Sequence, residues 1–145
     1  MKILVQKVTQ ASVVVNKELV SSINDGFLLF VGVEKHDTKE QAEYLAKKIS
    51  NLRIFSDEND KMNLSIKDVK GEILAVSQFT LAADLSRGNR PGFDTAAHPD
   101  EANKLYEYFV EQLKKYELIV KTGIFQADMK VSLINDGPCT FILQK

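Results

Sequence analysis

The sequence is poor in the residues that build disulfides and metal sites. It contains one cysteine, Cys139, and two histidines, His36 and His98, among 145 residues. A single cysteine cannot form an intramolecular disulfide, and these three side chains are too far apart in sequence for a zinc motif. We therefore predict no metal site and no cofactor, and we expect the reducing cytoplasm as the location of the chain.

Long apolar runs are absent too. No stretch approaches the ~20 residues that a membrane span needs. The first ten residues, MKILVQKVTQ, have an apolar run that Gln6 and Lys7 interrupt, which is too short for the core of a signal peptide. The formal net charge is −1, which argues against a broad basic surface that coats nucleic acid but allows contact with one nucleic-acid end.

The length suits a single domain, residues 1–145, that buries about two thirds of its unfolded surface. Thr38 with Gln41 three residues later predicts the start of a helix, and Pro99 suits the first turn of a second helix. Apolar and β-branched runs predict strands, and these runs are ILVQKV, SVVVN, ELVSSI, FLLFVGVE, LRIF, EILAVSQFTL, ELIVKTGIF, KVSLIN and CTFILQ.

The order of these elements differs from the strict strand–helix alternation of a doubly wound fold. We predict an α/β (α+β) fold with mixed, mostly antiparallel β-sheets. The sheets are packed in layers or in a barrel-like arrangement, with two helices on one side.

The segment SQFTL runs from Ser77 through Thr80 to Leu81, and in it a buried strand ends in polar residues. Alternation along a strand places Ser77 and Phe79 on one face and Gln78 and Thr80 on the other. Such an end can present hydroxyl, amide and backbone N–H groups to a pocket, although a strand end that merely meets solvent is more common. A nucleophilic hydroxyl also requires a nearby base, and no G-x-S-x-G elbow surrounds Ser77.

Several other residues invite a chemical interpretation beside a structural one. Cys139 lies in an apolar run without a basic neighbour, so we predict that it packs as a small hydrophobe. Arg87 and Arg90 stand in the 17-residue loop AADLSRGNRPGFDTAAH, where they could meet a phosphate or simply be solvated. On pattern alone, Phe125 and Met129 are more often core residues than pocket residues.

The closing turn, NDGP, puts Gly137 directly before Pro138. Glycine adopts backbone angles closed to other residues, and a bond before proline is cis in about 5–6% of cases, so the sequence alone favours trans. A cis bond here would point two successive carbonyls in the same direction. That corner would form a rigid, polar wall with no side chain from glycine to shield it.

The motif pair SQFTL and NDGPCT resembles the S-Q-F-T-L and N-x-G-P-V-T patterns of the D-aminoacyl-tRNA deacylases, the D-Tyr-tRNA deacylase family. Further similar segments are VQKVTQASV, RIFSDENDKMNL, GNRPGF and TGIFQADMKVSLINDGP, so the resemblance covers the whole chain. Two departures stand out: Cys139 replaces a valine of similar volume, and Lys7 replaces an expected arginine.

The resemblance implies hydrolysis of the ester that joins a D-amino acid, or glycine, to the 3′-terminal ribose of tRNA. It also implies a homodimer in which the SQFTL strand end lines the pocket and receives the terminal adenosine. Gly137 and Pro138 would form a cis corner that enters the partner's pocket and rejects L-amino acids, and Phe125 and Met129 would bind substrate. Catalysis would rely on the 2′-OH of the substrate and on backbone N–H groups near Phe79 and Thr80, without a side-chain nucleophile.

Three alternatives stay open at this point. The chain could be a general small-ester hydrolase that uses Ser77 or Cys139 as nucleophile. It could be a non-catalytic module that binds RNA ends, or a purely structural protein that binds no tRNA.

Overall fold

A computed structural model describes all 145 residues. It contains eight strands, two α-helices and one short 3-10 helix at Phe79–Ala82. The elements in chain order are β1 (Lys2–Val15), β2 (Glu18–Ile23), β3 (Gly26–Gly32), α1 (Lys39–Ser50), β4 (Arg53–Ser56), β5 (Met62–Ser65), β6 (Glu72–Ser77), α2 (Pro99–Lys114), β7 (Ile119–Thr122) and β8 (Lys130–Gln144).

Six strands form one mixed sheet with the order β2-β1-β3-β6-β7, and β8 pairs with β1. Strand β1 is antiparallel to β2, β3 and β8, whereas β3–β6 and β6–β7 are parallel pairs. A separate hairpin, β4–β5, accompanies it. The sheet curls into a nearly closed, barrel-like form with two helices, which confirms the predicted fold class.

Two strands are longer than the sequence predicted. ILVQKV and SVVVN belong to one 14-residue strand, because β8 pairs with β1 on both sides of the exposed Thr9 and Gln10. Likewise KVSLIN and CTFILQ are two parts of the 15-residue strand β8, with the NDGP corner inside it. The polar breaks did not end the strands because hydrogen bonds from a neighbouring strand continue past them.

The sheet has apolar clusters on both faces. On one face, Ile3, Val5, Phe27 and Leu29 pack with the buried sides of α1 and α2 in a cluster of 23 residues. The other face holds a smaller cluster of seven residues, including Leu28 and Leu74. Alternate residues of β3 thus enter different clusters, which explains why FLLFVG is apolar throughout.

Both helices begin where the sequence predicted. The N–H of Glu40 donates to Thr38 Oγ1 at 3.3 Å, and the N–H of Thr38 donates to Gln41 Oε1 at 2.9 Å, completing a capping box. Helix α2 begins at Pro99 and buries Ala102, Tyr106, Phe109 and Leu113. Tyr116 lies just beyond the end of the helix.

None of the helices combines the length and the apolar character that crossing a membrane would require.

Candidate active site

An open cavity of about 800 Å³ lies where β6 ends and α2 begins. The segment between β7 and β8 forms its third wall. Its lining is mostly apolar, with a few polar groups, a composition typical of small-molecule sites. The lining residues are Val31, Val33, Val76, Ser77, Gln78, Phe79, Phe93, Ala96, Ala97, Pro99, Ala102, Tyr106, Phe125, Gln126, Ala127, Asp128, Met129 and Val131.

The SQFTL segment reaches the cavity, but its local geometry differs from the prediction. Strand β6 stops at Ser77, and a 3-10 helix begins at Phe79. The predicted alternation is therefore wrong beyond Ser77: Ser77, Gln78 and Phe79 all line the cavity, and Thr80 does not. The chain can turn this closely because Gly32 lies beneath it, where an added Cβ would approach Leu81 Cβ to 2.8 Å.

The turn fixes the polar groups of this segment. The N–H of Gln78 donates to Val31 O at 2.8 Å, and that of Leu81 donates to Gln78 O at 3.2 Å. The N–H groups of Phe79 and Thr80 belong to the first turn and have no partner within the 3-10 helix. The Gln78 side chain, which lines the cavity, donates to Thr80 Oγ1 at 2.5 Å, so the hydroxyl of Thr80 already has a partner within the segment.

Tyr106 of α2 lines the cavity, and the sequence analysis did not identify it as a site residue. Its hydroxyl donates to Ala75 O at 2.8 Å, and the N–H of Gly123 donates to the same carbonyl at 3.1 Å. This carbonyl therefore joins β6, α2 and the segment after β7, the three walls of the cavity. Burial raises the pKa of Tyr106, which keeps the hydroxyl protonated as a donor. Its helical spacing gave no signal, because core and pocket residues recur with the same period.

The long loop after the 3-10 helix supplies another wall. Two backbone hydrogen bonds of 2.8 and 2.9 Å join Asp84 and Gly92, and Ala96 pairs with Glu34. As a result Phe93 packs on Phe79, with ring centroids 4.9 Å apart, although the two side chains are 40% and 59% exposed. The loop thus brings Phe93 onto Phe79 and adds an exposed aromatic pair to the cavity.

Phe125 and Met129 also line the cavity, together with Ser77, Gln78 and Phe79. Phe125 lies 6.1 Å from the ring of Tyr106. These five residues, chosen from the sequence as catalytic or substrate-binding, are brought together by the fold. Arg87 and Arg90 lie in the exposed part of the loop and form no salt bridge.

The NDGP corner lies elsewhere. Gly137 and Pro138 are exposed and do not line the cavity of their own chain. The peptide bond between them is cis, and Gly137 has φ +133°. Asn135 braces the corner: its Oδ1 accepts the N–H of Cys139 at 2.7 Å, and its Nδ2 donates to Thr140 Oγ1 at 2.8 Å.

A further contact holds the corner from the side. Lys7 Nζ lies 2.7 Å from Asp136 Oδ2 and 5.6 Å from the centre of the Phe55 ring. Lys7, the residue that departs from the expected arginine, therefore still forms an ion pair with the segment before Gly137. A lysine makes this contact as a point charge rather than as a two-pronged fork.

The cavity lacks a paired nucleophile and base. Neither His36 nor His98 lines it. Cys139 is 5% exposed and also lies outside the cavity, and burial raises the pKa of its thiol, so the reactive thiolate is disfavoured. No group of three or more His, Cys, Asp or Glu side chains could hold a metal ion.

Strand β8 is an edge strand over its whole length, because β1 is its only partner in the sheet. Its side chains Ile134, Phe141 and Ile142 are exposed, the last of them 72%. Soluble proteins usually cover or interrupt a long edge strand. The corner and these exposed apolar side chains therefore lie on the same strand, one edge of which is unpaired.

Comparisons with known proteins found relatives that match this chain over nearly its whole length. A D-aminoacyl-tRNA deacylase from Geotalea uraniireducens is 58% identical over 99% of this chain and 93% of its own length. One from Pelobacter propionicus is 54% identical over the full length of both chains. A solved structure described as c-Myc DNA Unwinding Element Binding Protein superimposes with a TM-score of 0.94 at 43% identity, covering 100% of this chain and 99% of that one.

A second solved structure, described as a probable eukaryotic D-amino acid tRNA deacylase, has a TM-score of 0.84 over 98% of this chain and 97% of its own. At 15% identity it shows a shared fold. The full-length relatives define the class of this chain as a deacylase, a hydrolase of the aminoacyl-tRNA ester. The chain belongs to the family of D-Tyr-tRNA(Tyr) deacylases, whose model matches residues 4–144.

Proposed function

We propose that this protein edits tRNA by hydrolysing the ester of D-aminoacyl-tRNA and of glycyl-tRNA, releasing free tRNA and the amino acid. The observation that carries the proposal is the cavity that gathers Ser77, Gln78 and Phe79 with Phe125 and Met129. The cavity is open and mostly apolar, which suits one aminoacylated nucleotide rather than a whole RNA. The full-length relatives named D-aminoacyl-tRNA deacylase support the same substrate class.

Selection between mirror-image substrates follows from the geometry of the α-carbon. That carbon carries an ammonium group, a hydrogen, a side chain and the ester carbonyl. With the ammonium and the ester fixed, D and L forms exchange the positions of hydrogen and side chain. A rigid wall that leaves room only for hydrogen at one position rejects every L-amino acid and accepts glycine, whatever the D side chain is.

The Gly137–Pro138 corner is the proposed wall. Gly137 adds no side chain and Pro138 is a rigid ring, so the surface that the corner presents is largely main chain. Asn135 and Lys7 brace it through hydrogen bonds and an ion pair. Because the corner does not line its own cavity, it would act in the cavity of a second copy. The proposal therefore requires a homodimer, and the exposed apolar edge of β8 supports one.

The chemistry needs no protein nucleophile. A water oxygen adds to the ester carbonyl carbon, the bond to the ribose 3′ oxygen breaks, and that oxygen leaves with a proton. The backbone N–H groups of Phe79 and Thr80 are proposed to stabilise the negative charge on the carbonyl oxygen. The ribose 2′-OH of the substrate, which is adjacent to the ester, is proposed to assist the hydrolysis. Binding in the cavity holds the reacting groups together.

Arg87 and Arg90 in the exposed loop are proposed to meet phosphates near the 3′ end.

The single cysteine is a buried thiol, which agrees with a protein that works in the cytoplasm.

Matched deacylation assays of D-Tyr-tRNA and L-Tyr-tRNA test the proposal. We expect the D ester to be hydrolysed at least 100-fold faster than the L ester, because the wall excludes the L side chain. Glycyl-tRNA should be hydrolysed as well. Equal rates for the D and L esters would refute stereochemical editing, and binding of both without hydrolysis would indicate a module that only binds RNA ends.

A further inference from the structure

A second concave surface lies at the carboxyl end of α1. It is a hollow of about 570 Å³. Three of its six lining residues are cations, and none is an acid. The lining residues are Tyr44, Lys47, Lys48, Asn51, Leu52 and Arg53.

Two more cations border the hollow. Lys67 Nζ donates to Asn51 Oδ1 at 2.9 Å, and Lys145 Nζ lies 5.1 Å from the centre of the Tyr44 ring. None of the five cations forms a salt bridge. We call this surface the α1 basic patch, and its cations are Lys47, Lys48, Arg53, Lys67 and Lys145.

Two carboxylates near the patch, those of Asp68 and Glu43, accept hydrogen bonds from neutral groups and form no salt bridge with its cations. Asp68 accepts hydrogen bonds of 2.7 Å from both the N–H and the hydroxyl of Ser65. These bonds, with smaller contributions from the charges of Lys67 and Arg53, lower the pKa of Asp68. The carboxylate of Glu43 accepts a hydrogen bond from the hydroxyl of Tyr108 on α2. The net charge of the chain is −1. Five cations without a salt bridge in one place are therefore a local excess of positive charge.

The patch lies well away from the cavity. Helix α2 runs from the cavity wall at Ala102 to Lys114, a length of about 18 Å at 1.5 Å per residue. Lys67 Nζ lies 5.8 Å from the ring of Tyr116, just beyond that helix. The esterified nucleotide in the cavity cannot extend this far, but the helical stem behind it can.

We propose that the α1 basic patch binds phosphates of the tRNA acceptor stem while the aminoacylated end occupies the cavity. This inference rests on the proposed function, because that function supplies the RNA. Lysine and arginine contacts to phosphates position a nucleic acid without reading its sequence. The patch therefore adds affinity for tRNA that is independent of the amino acid.

The test removes two charges with the double substitution Lys47→Gln/Lys48→Gln in the full chain. The substrates are D-Tyr-tRNA and the D-tyrosyl ester of a CCA trinucleotide, which has the same ester but no stem. We expect KM for D-Tyr-tRNA to rise about tenfold with kcat unchanged, and both constants for the trinucleotide to stay the same. The affinity for uncharged tRNA should also depend less on salt. The magnitude of the slope of log affinity against log salt concentration should decrease by about 1.5, at roughly 0.7–0.9 per phosphate contact.

A matched control removes two cations from turns outside the patch, with Lys17→Gln/Lys70→Gln. Neither residue forms a salt bridge, and both are exposed, so the control should leave KM and the salt slope unchanged. The inference is overturned if wild-type enzyme cleaves both substrates while the Lys47/Lys48 variant matches the control. It is overturned equally if the variant only unfolds at a lower temperature, since the two lysines would then serve α1 alone. If the wild type cleaves neither substrate, the proposed function itself fails.

Discussion

The two motifs of this chain are held in different ways. Ser77 ends a central strand and Gln78 follows it, with the N–H of Gln78 bonded to Val31 O of the neighbouring strand, so the chain completes this half of its site alone. Gly137 and Pro138 lie on an edge strand and are braced by side chains, yet they do not line the candidate cavity of their own chain. In the proposed homodimer this corner would enter the cavity of the second copy, so one motif would shape a pocket and the other would complete the pocket of its partner.

The largest expected effect is at the corner. With Gly137→Ala, the new Cβ would lie 3.2 Å from Cys139 N and 3.3 Å from Cys139 Cβ. The φ of +133° also costs a residue with a side chain about 1–3 kcal/mol. The corner must shift, and a misplacement of about 1 Å costs on the order of 100-fold in rate. We expect D-Tyr-tRNA hydrolysis to fall by that factor in a single-turnover assay.

Gly88→Ala is the control for this change. Gly88 also has a left-handed backbone, with φ +64°, but nothing lies within 4 Å of an added Cβ. We expect a similar loss of stability and little change in rate. If both alanine variants lose the same activity, the corner has no special part in the site and the comparison of the two motifs breaks down.

The helix starts could be predicted from the sequence because their causes are local. Thr38 caps α1 through hydrogen bonds with residues two and three positions away, and Pro99 suits the first turn of α2 because its own φ is fixed and it has no N–H. Phe125 and Met129 were predicted as substrate-binding residues through resemblance rather than pattern. On pattern they fit the core, since apolar spacing is the same in a core and in an apolar pocket.

The features that the sequence did not reveal depend on distant contacts. Strand β1 continues through Gln10 because β8 pairs with it, and the 3-10 turn at Phe79 depends on close packing over Gly32. Tyr106 is a pocket residue because its hydroxyl meets Ala75 O, which is 31 positions away in sequence. No local pattern encodes such pairings.

A smaller effect is expected at the brace of the corner. Asn135→Ala leaves the N–H of Cys139 without its acceptor at 2.7 Å, a loss of about 1–3 kcal/mol where the group stays buried. A looser wall yields to an L side chain. We expect L-Tyr-tRNA hydrolysis to rise about tenfold while D-Tyr-tRNA hydrolysis stays within about threefold, measured with both substrates.

Asn135→Asp sharpens this test. Aspartate keeps the acceptor for Cys139 but loses the amide that donates to Thr140 Oγ1 at 2.8 Å. Its selectivity should fall between those of the wild type and Asn135→Ala. Unchanged selectivity in the alanine variant would mean that the corner is rigid without this brace.

The smallest effects are expected in the motif that the chain completes alone. Ser77→Ala and Thr80→Ala should each retain most of the single-turnover rate on D-Tyr-tRNA, because the proposed donors there are backbone N–H groups. No histidine lines the cavity to serve as a base for either hydroxyl. The hydroxyl of Thr80 also accepts a hydrogen bond from the side chain of Gln78. Thr80→Ser, which keeps the hydroxyl, separates loss of this bond from loss of the methyl group. A fall of three or more orders of magnitude with tRNA binding intact would make the hydroxyl a nucleophile and favour a general ester hydrolase.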